Sequence, residues 1–420
     1  MGGHRLARGL ARLGPLVSLA GLAAVAACAG PSRPAPNPAP GLVLSNYERA
    51  TGDTVPRDCG YSSPLPGRPG WSLWLFCDTA VTSDKGTRID RLILGTDTAA
   101  AGPYRAGQAP TRLSEIPTPP AAAALPSDGA PEPFLPAPQG LVRPGGTASC
   151  SGAGAYPAAW ITGVAREPAA ASVGAGSGDR GQLLISYNDY CVTGGASRDW
   201  AGSLGTDVPG SLTPEGSGLV EYEPATNQLG SPEQVFGSTL GLALPVQQVL
   251  GSPVFDGGYL YQFGFCSAGT LPSGCAGGKV FMVRVQATPA AWRNPLSYQY
   301  WTGSGWSLDP NTAASVLPAG HPLGVSAGDY TAAGHGLVLV EQTSLGGDFQ
   351  VWQASSPAGP WRHLRDGRVP CRAAQRKEAA GAGDLCRAVI GHPELSTRSR
   401  LLVSYFNPGN DHVDTSALSW

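Results

Sequence analysis

The sequence predicts an all-β fold, a five-bladed β-propeller, and three observations predict it. A short apolar, strand-like run recurs five times, each copy preceded by a glycine-rich turn. The composition, with 59 Gly, 40 Pro and two Met, disfavours helices, and no long segment keeps apolar residues at helical spacing. About 380 residues remain beyond the N-terminal leader, more than one simple core usually serves unless the fold is a closed β architecture.

The elements follow in chain order. His4, Arg5, Arg8 and Arg12 precede an apolar run from Leu13 to Ala27 that is too short to span a bilayer, so residues 1–27 read as a signal peptide. The run ends in Val25-Ala26-Ala27-Cys28, which looks like the bacterial lipobox, in which the cysteine thiol takes a diacylglycerol. Cys28 is therefore the expected lipidation site of a lipoprotein anchored at the extracellular face of the cell membrane. The alternative is an ordinary secretory signal with Cys28 beside its cleavage site. Residues 28–40 alternate proline with small residues, a polyproline II spacer, and the folded domain is expected over 41–420. A net charge of −2 offers no basic surface for nucleic acid, and a monomer is expected.

The five runs are Leu73–Asp78, Leu183–Asn188, Tyr259–Gly264, Leu337–Gln342 and Leu401–Phe406. Four are followed by a second run: Arg91–Gly95, Gly218–Tyr222, Lys279–Arg284 and Asp348–Trp352. Sheets of about four strands repeated radially are the propeller solution to exposed sheet edges. Residues Leu42–Ser45 are then expected to close the ring by adding a strand to the last blade. A sandwich is the runner-up, but it should not produce five copies of one strand order. The Pro/Ala-rich stretch 106–146 reads as an interblade excursion.

Nine cysteines less Cys28 leave eight in an exported chain, enough for four disulfides. Sequence alone does not set the pairing; the repeat suggests Cys59–Cys77, Cys150–Cys191, Cys266–Cys275 and Cys371–Cys386. If Cys59 faces Cys77 across the first hairpin, the turn falls at residues 67–69 and Asp58 lies opposite Asp78. Opposed carboxylates raise one pKa, which suits an acid, and glycoside hydrolysis needs such a pair. The same residues also fit plain structure, with Asp78-Thr79 capping a turn and Asp58 starting a strand.

The segments Arg57-Asp-Cys-Gly-Tyr-Ser-Ser63 and Leu73–Thr79, then Tyr298–Gly303 with Trp306, Pro357–Trp361, His392–Ser396 and Leu402–Tyr405, form an ordered set. That set resembles a family of exported actinobacterial domains, long labelled a domain of unknown function, similar to endo-D-arabinanases with a five-bladed propeller. The resemblance implies a cell-surface glycoside hydrolase cleaving furanoside, D-arabinan-type polysaccharide of the cell envelope. It carries the two catalytic aspartates onto Asp58 and Asp78. The chain departs from the pattern just before the second aspartate, where the family usually has glycine and this sequence has Cys77.

Other residues are candidates for substrate binding. His392 and Glu394 are expected at the start of the last blade's inner hairpin, facing the axis, where they bind a sugar hydroxyl or cap a strand. Asp329-Tyr330 and Asn188-Asp189 are expected at comparable places in blades four and two. Trp160, Trp301 and Trp306 either stack on sugar rings or pack within blades. Six dispersed histidines show no ligand spacing, so no metal or other cofactor is expected, although the architecture leaves room for an axial calcium. The second functional reading is a non-catalytic propeller that binds envelope glycan or a protein partner.

Overall fold

The computed structural model describes residues 42–43, 54–83, 88–120, 129–136, 150, 155–168, 181–193, 211–237, 250–266, 278–318, 320, 322–371, 386–410 and 412–420. The predicted signal peptide, Cys28, the proline spacer and Cys275 lie outside them.

Five antiparallel sheets make five blades. Blade I holds β2 (Arg57–Pro64), β3 (Trp71–Ser83), β5 (Thr98–Pro103) and β6 (Ser114–Glu115), with β4 (Arg88–Ile93) on the far half of β3. Blade II holds β7 (Tyr156–Arg166), β8 (Leu183–Thr193) and β9 (Ser211–Glu223), the last flanked by β10 (Gln228–Leu229) and β11 (Glu233–Gly237). Blade III runs through β12 (Leu250–Asp256), β13 (Tyr259–Cys266), β14 (Lys279–Gln286), β15 (Gln299–Trp301) and β16 (Trp306–Ser307). Blade IV is β17 (Gly324–Asp329), β18 (Leu337–Gln342), β19 (Asp348–Ala354) and β20 (Arg362–Arg368). Blade V is β21 (Arg387–Gly391), β22 (Arg400–Asn407) and β23 (His412–Ser419), completed by β1 (Leu42–Val43). The first strand thus closes the ring as the sequence predicts, with Leu42 opposite Thr415 and Val43 opposite Asp414. The inner strands form a continuous ring: β2 touches β7, β7 touches β12, β12 touches β17, β17 touches β21, and β21 returns to β2.

The five repeated runs are the second strands of the five blades, β3, β8, β13, β18 and β22. Each is covered on both faces by neighbouring blades, which is why it reads as unbroken apolar sequence rather than alternation. Alternate residues serve opposite seams. Leu73 and Leu75 pack with Ile161, Leu183 and Ile185 of blade II, while Trp74 and Phe76 pack with Leu402 and Val413 of blade V. In blade IV, Leu337 and Leu339 join Val254 and Phe263 of blade III, and Val338 and Val340 join Leu401 and Val403 of blade V. Leu184 and Leu219 meet Leu250, Leu260 and Val283 at the remaining seam.

Two expectations need correction. Arg91–Gly95 is not the third strand of blade I: β4 pairs β3 only from Thr79 onward, and the third strand is the alanine-rich β5. Ala99, Ala100 and Ala101 are buried there, where small side chains fit the seams, but alanine carries little strand signal. Nor is 106–146 wholly an excursion. Ser114–Glu115 form the outer strand of blade I, and Leu113, Ile116, Phe134 and Leu135 enter the core.

Disulfides join Cys59 to Cys77, Cys150 to Cys191 and Cys371 to Cys386.

Candidate active site at one end of the inner-strand ring

The first hairpin has the register that the sequence predicts on either side of a defect. Arg57 opposes Thr79, and Tyr61 opposes Leu75, with the loop from Leu65 to Gly70 between the strands. At Cys59 the pairing slips, so that Cys59 faces Phe76 rather than Cys77. The cause is a bulge, with Cys59 at φ 65° and Gly60 at φ 109°. The inner strands β12 and β21 carry similar left-handed steps, at Ser252 (φ 51°) and Ala388 (φ 54°), each beside a register shift. Bulges re-aim neighbouring side chains. Here the residues just before two of them, Asp58 and Arg387, meet across the blade I–V seam, Arg387 Nε donating to Asp58 Oδ2 at 2.8 Å. Asp58 Oδ1 accepts from the backbone N–H of Cys59 at 2.7 Å. The preceding residue, Arg57, is buried and ion-paired with Glu115, so the 106–146 segment neutralises the cation beside the site.

Asp78 is 5% exposed. Its Oδ1 accepts two hydrogen bonds, from the Gly95 N–H at 2.9 Å and the Trp160 indole N–H at 3.0 Å, and among the described residues none donates to Oδ2. Gly95 sits at φ 71° against blade II, where a Cβ would lie 2.4 Å from the Pro157 carbonyl oxygen. Burial pushes the Asp78 carboxyl up to about 6, and the Asp58 charge adds to the rise. The two hydrogen bonds and the Arg387 charge oppose it. Two more buried carboxyls lie nearby. Asp97 accepts from the Ile161 N–H at 3.1 Å and is pushed well above the usual range by burial, with the charges of Asp78 and Asp189 adding to it. Asp189 accepts from Gln234 at 3.0 Å and is pushed up to about 7 by burial.

The remaining candidates separate in space. Trp160 joins the aspartates, its ring centroid 5.2 Å from that of Tyr190. Asn188 is fully buried, its side-chain amide 2.6 Å from Ser217 Oγ and against the backbone of Leu250, so it ties blade II to blade III. Asp329-Tyr330 are not in a place comparable to Asn188-Asp189. Asp329 ends the inner strand of blade IV, exposed, and caps the next turn by accepting from Thr331 N–H at 2.9 Å. Tyr330 is buried, edge-on to Trp420. Asn188-Asp189 lie on a second strand instead.

His392 and Glu394 follow the end of β21 rather than starting the hairpin, and His392 is fully buried. Its Nδ1 lies 2.6 Å from Ser62 Oγ, which donates to Glu394, and its ring packs against Trp74, centroids 4.7 Å apart and planes tilted by 37°. Strands β2 and β21 therefore run side by side with Asp58–Arg387 at their starts and Ser62–His392 at their ends. Three residues lie between Asp58 and Ser62, at most about 13 Å of strand. The sequence candidates thus occupy opposite ends of the ring. Trp301 and Trp306 are elsewhere, in the outer strands of blade III, packed on each other at 5.4 Å with Arg284 over Trp306.

Sequence reasoning missed Arg387, Gly95 and Asp97. Arg387 follows Cys386 as Asp58 precedes Cys59, a charge beside a cysteine at the start of an inner strand, and that was the available signal. Among the described residues no three His, Cys, Asp or Glu side chains converge as a metal site. Chemically, the site offers a buried carboxyl pushed up to about 6, an ion-paired carboxylate beside it, and an indole that holds the first in place.

No protein-family model matches the chain, and no curated protein matches it. Solved structures similar in fold include Zg3597, a family 117 glycoside hydrolase of the marine bacterium Zobellia galactanivorans. It is 10% identical over 90% of this chain and 89% of that one, with a TM-score of 0.41. The GH43_1 enzyme of Xanthomonas citri complexed with xylotriose is 7% identical over 90% of each chain, TM-score 0.41. A glycosyl hydrolase of Bacteroides ovatus is 9% identical over 90% of each chain, TM-score 0.37.

Proposed function

We propose that this protein is a glycoside hydrolase acting on furanoside, D-arabinan-type polysaccharide of the cell envelope, held at the outer face of the membrane by a lipid on Cys28. One observation carries the reading. Asp78 is a buried carboxyl pushed up to about 6, bonded among the described residues through Oδ1 alone, beside the second carboxylate Asp58. A carboxyl poised near the working pH suits a general acid, and glycosidic cleavage pairs it with a carboxylate that attacks carbon or activates water. In this reading Asp78 protonates the leaving oxygen through Oδ2, and Asp58 serves as its partner. The ordered family motifs supply the substrate class.

A second reading, a propeller that binds glycan without cleaving it, is favoured by the Asp58–Arg387 ion pair, which occupies one oxygen of the partner carboxylate. Digestion of mycobacterial arabinogalactan by the purified protein separates the two. Oligosaccharide release by the wild type that disappears in both Asp58→Asn and Asp78→Asn supports hydrolysis; binding without release supports the second reading.

A further inference from the structure

The two aspartates are linked covalently at one remove. Cys59 follows Asp58, Cys77 precedes Asp78, and the two cysteines are bonded with Cα atoms 5.4 Å apart. Cys59 is also the bulge residue, a non-glycine at φ 65° with the register slipping on either side. A residue with a Cβ avoids that conformation unless its surroundings hold it there. Each of the two similar steps is held by a bond to a neighbouring blade: the Ser252 hydroxyl donates to the Val325 carbonyl at 3.2 Å, and beside Ala388 the Val389 N–H donates to Gln342 Oε1 at 3.3 Å. At Cys59 the side chain is committed to the disulfide, so the clamp is covalent.

The consequence for the site follows from strand periodicity. If Cys59 relaxed to ordinary extended backbone, the bulge would be lost and the residue before it would shift by one place, turning Asp58 away from Arg387. The hairpin itself is held without the disulfide, by the pairs from Tyr61–Leu75 to Pro64–Ser72 and by the apolar seams on both sides of β3.

We propose that the Cys59–Cys77 disulfide positions the aspartate pair of the proposed reaction, so that removing it disarms the site while the propeller stays folded. The inference rests on the hydrolase reading for its effect on turnover, and on geometry alone for its effect on the aspartates. It gives the cysteine that replaces the expected glycine before Asp78 a specific task.

The test compares the whole protein with two variants, Cys59→Ala/Cys77→Ala and Cys59→Gly/Cys77→Ala. Three quantities are read: kcat on arabinogalactan, cooperativity of urea unfolding, and the titration of Asp58 and Asp78 by 13C-carboxyl NMR. The alanine variant should unfold cooperatively yet lose kcat by on the order of tenfold to a hundredfold, the scale of misplaced catalytic groups. It should also shift the Asp78 titration. The glycine variant should recover part of both, because glycine takes the left-handed conformation without a clamp. Equal losses in the two variants, an unchanged Asp78 titration in the alanine variant, or failure of that variant to fold would each overturn the proposal. If the wild type releases no oligosaccharide, the hydrolase reading fails, and the NMR titration alone decides whether the disulfide positions the pair.

Discussion

The indole N–H of Trp160, on the inner strand of blade II, donates to Oδ1 of Asp78 in blade I at 3.0 Å. The next residue, Ile161, donates its backbone N–H to Asp97, also of blade I. The blade I–II seam is therefore tied by two aspartates of blade I that accept from consecutive residues of β7, and one of them is the proposed acid. Seam packing and site electrostatics are coupled at this point.

Removing the indole donor should raise the Asp78 pKa further, because that hydrogen bond favours the ionised form. An acid must be protonated to act, so the basic limb of the kcat/KM profile in Trp160→Phe should move to higher pH. A pH–rate series on arabinan oligosaccharides checks this; a basic limb at the wild-type position would remove Asp78 from the acid role.

Gly95→Ala places a methyl 2.4 Å from the Pro157 carbonyl oxygen at a φ of 71° that alanine avoids. Both effects act on rigid backbone, so a loss of roughly 1–3 kcal/mol is expected. The Gly95 N–H would shift from Asp78, adding a rise in its pKa. Urea midpoints measure the first effect and carboxyl titration the second.

The Ser62–His392–Glu394 unit makes a signed prediction. Burial pushes His392 down to about 3 and Glu394 up to about 7. The histidine costs stability as pH falls from its ordinary 6.5 toward its folded value, because the unfolded chain then binds the extra proton. The glutamate costs stability as pH rises from its ordinary 4.5 toward about 7, because the folded state holds the extra proton. Glu394→Gln abolishes the second contribution only. Its stability relative to wild type should grow between those two pH values, by up to about 1.4 kcal/mol per pH unit. Denaturation at mildly acidic and at neutral pH gives the difference, and a constant offset would contradict it.

Trp74 is fully buried at the seam that closes the ring, with Leu395, Leu402 and Val413 around it. Trp74→Ala should cost about 3–5 kcal/mol, the range for large-to-small core changes. Leu308→Ala, at a leucine 64% exposed, should stay within about 0.5 kcal/mol of wild type. Paired urea unfolding curves test both.

The second strands were legible because burial on both faces demands apolar residues at every position, as in Leu337-Val-Leu-Val340. The inner strands were not. Gly324-Val-Ser-Ala-Gly-Asp329 lies at the axis beside its neighbours' inner strands, where small and polar residues fit, and it has no apolar period. The alanine strand β5 was missed for the same reason.

By itself the sequence determined the five-fold repeat, the closing strand that begins at Leu42 and the approximate register that brings Asp58 toward Asp78. These follow from short-range rules, since strand period and hairpin length fix which residues face one another. The tertiary structure decided what surrounds the pair. Arg387, 329 residues from Asp58 in sequence, reaches it only because the last blade closes on the first. Trp160 and Gly95 reach Asp78 only because blade II packs on blade I. The separation of His392 and Glu394 from the aspartates was likewise decided there. It depends on the inner strands running in one direction around the ring, and strand direction around a closed ring is a property of the assembled fold rather than of any local segment.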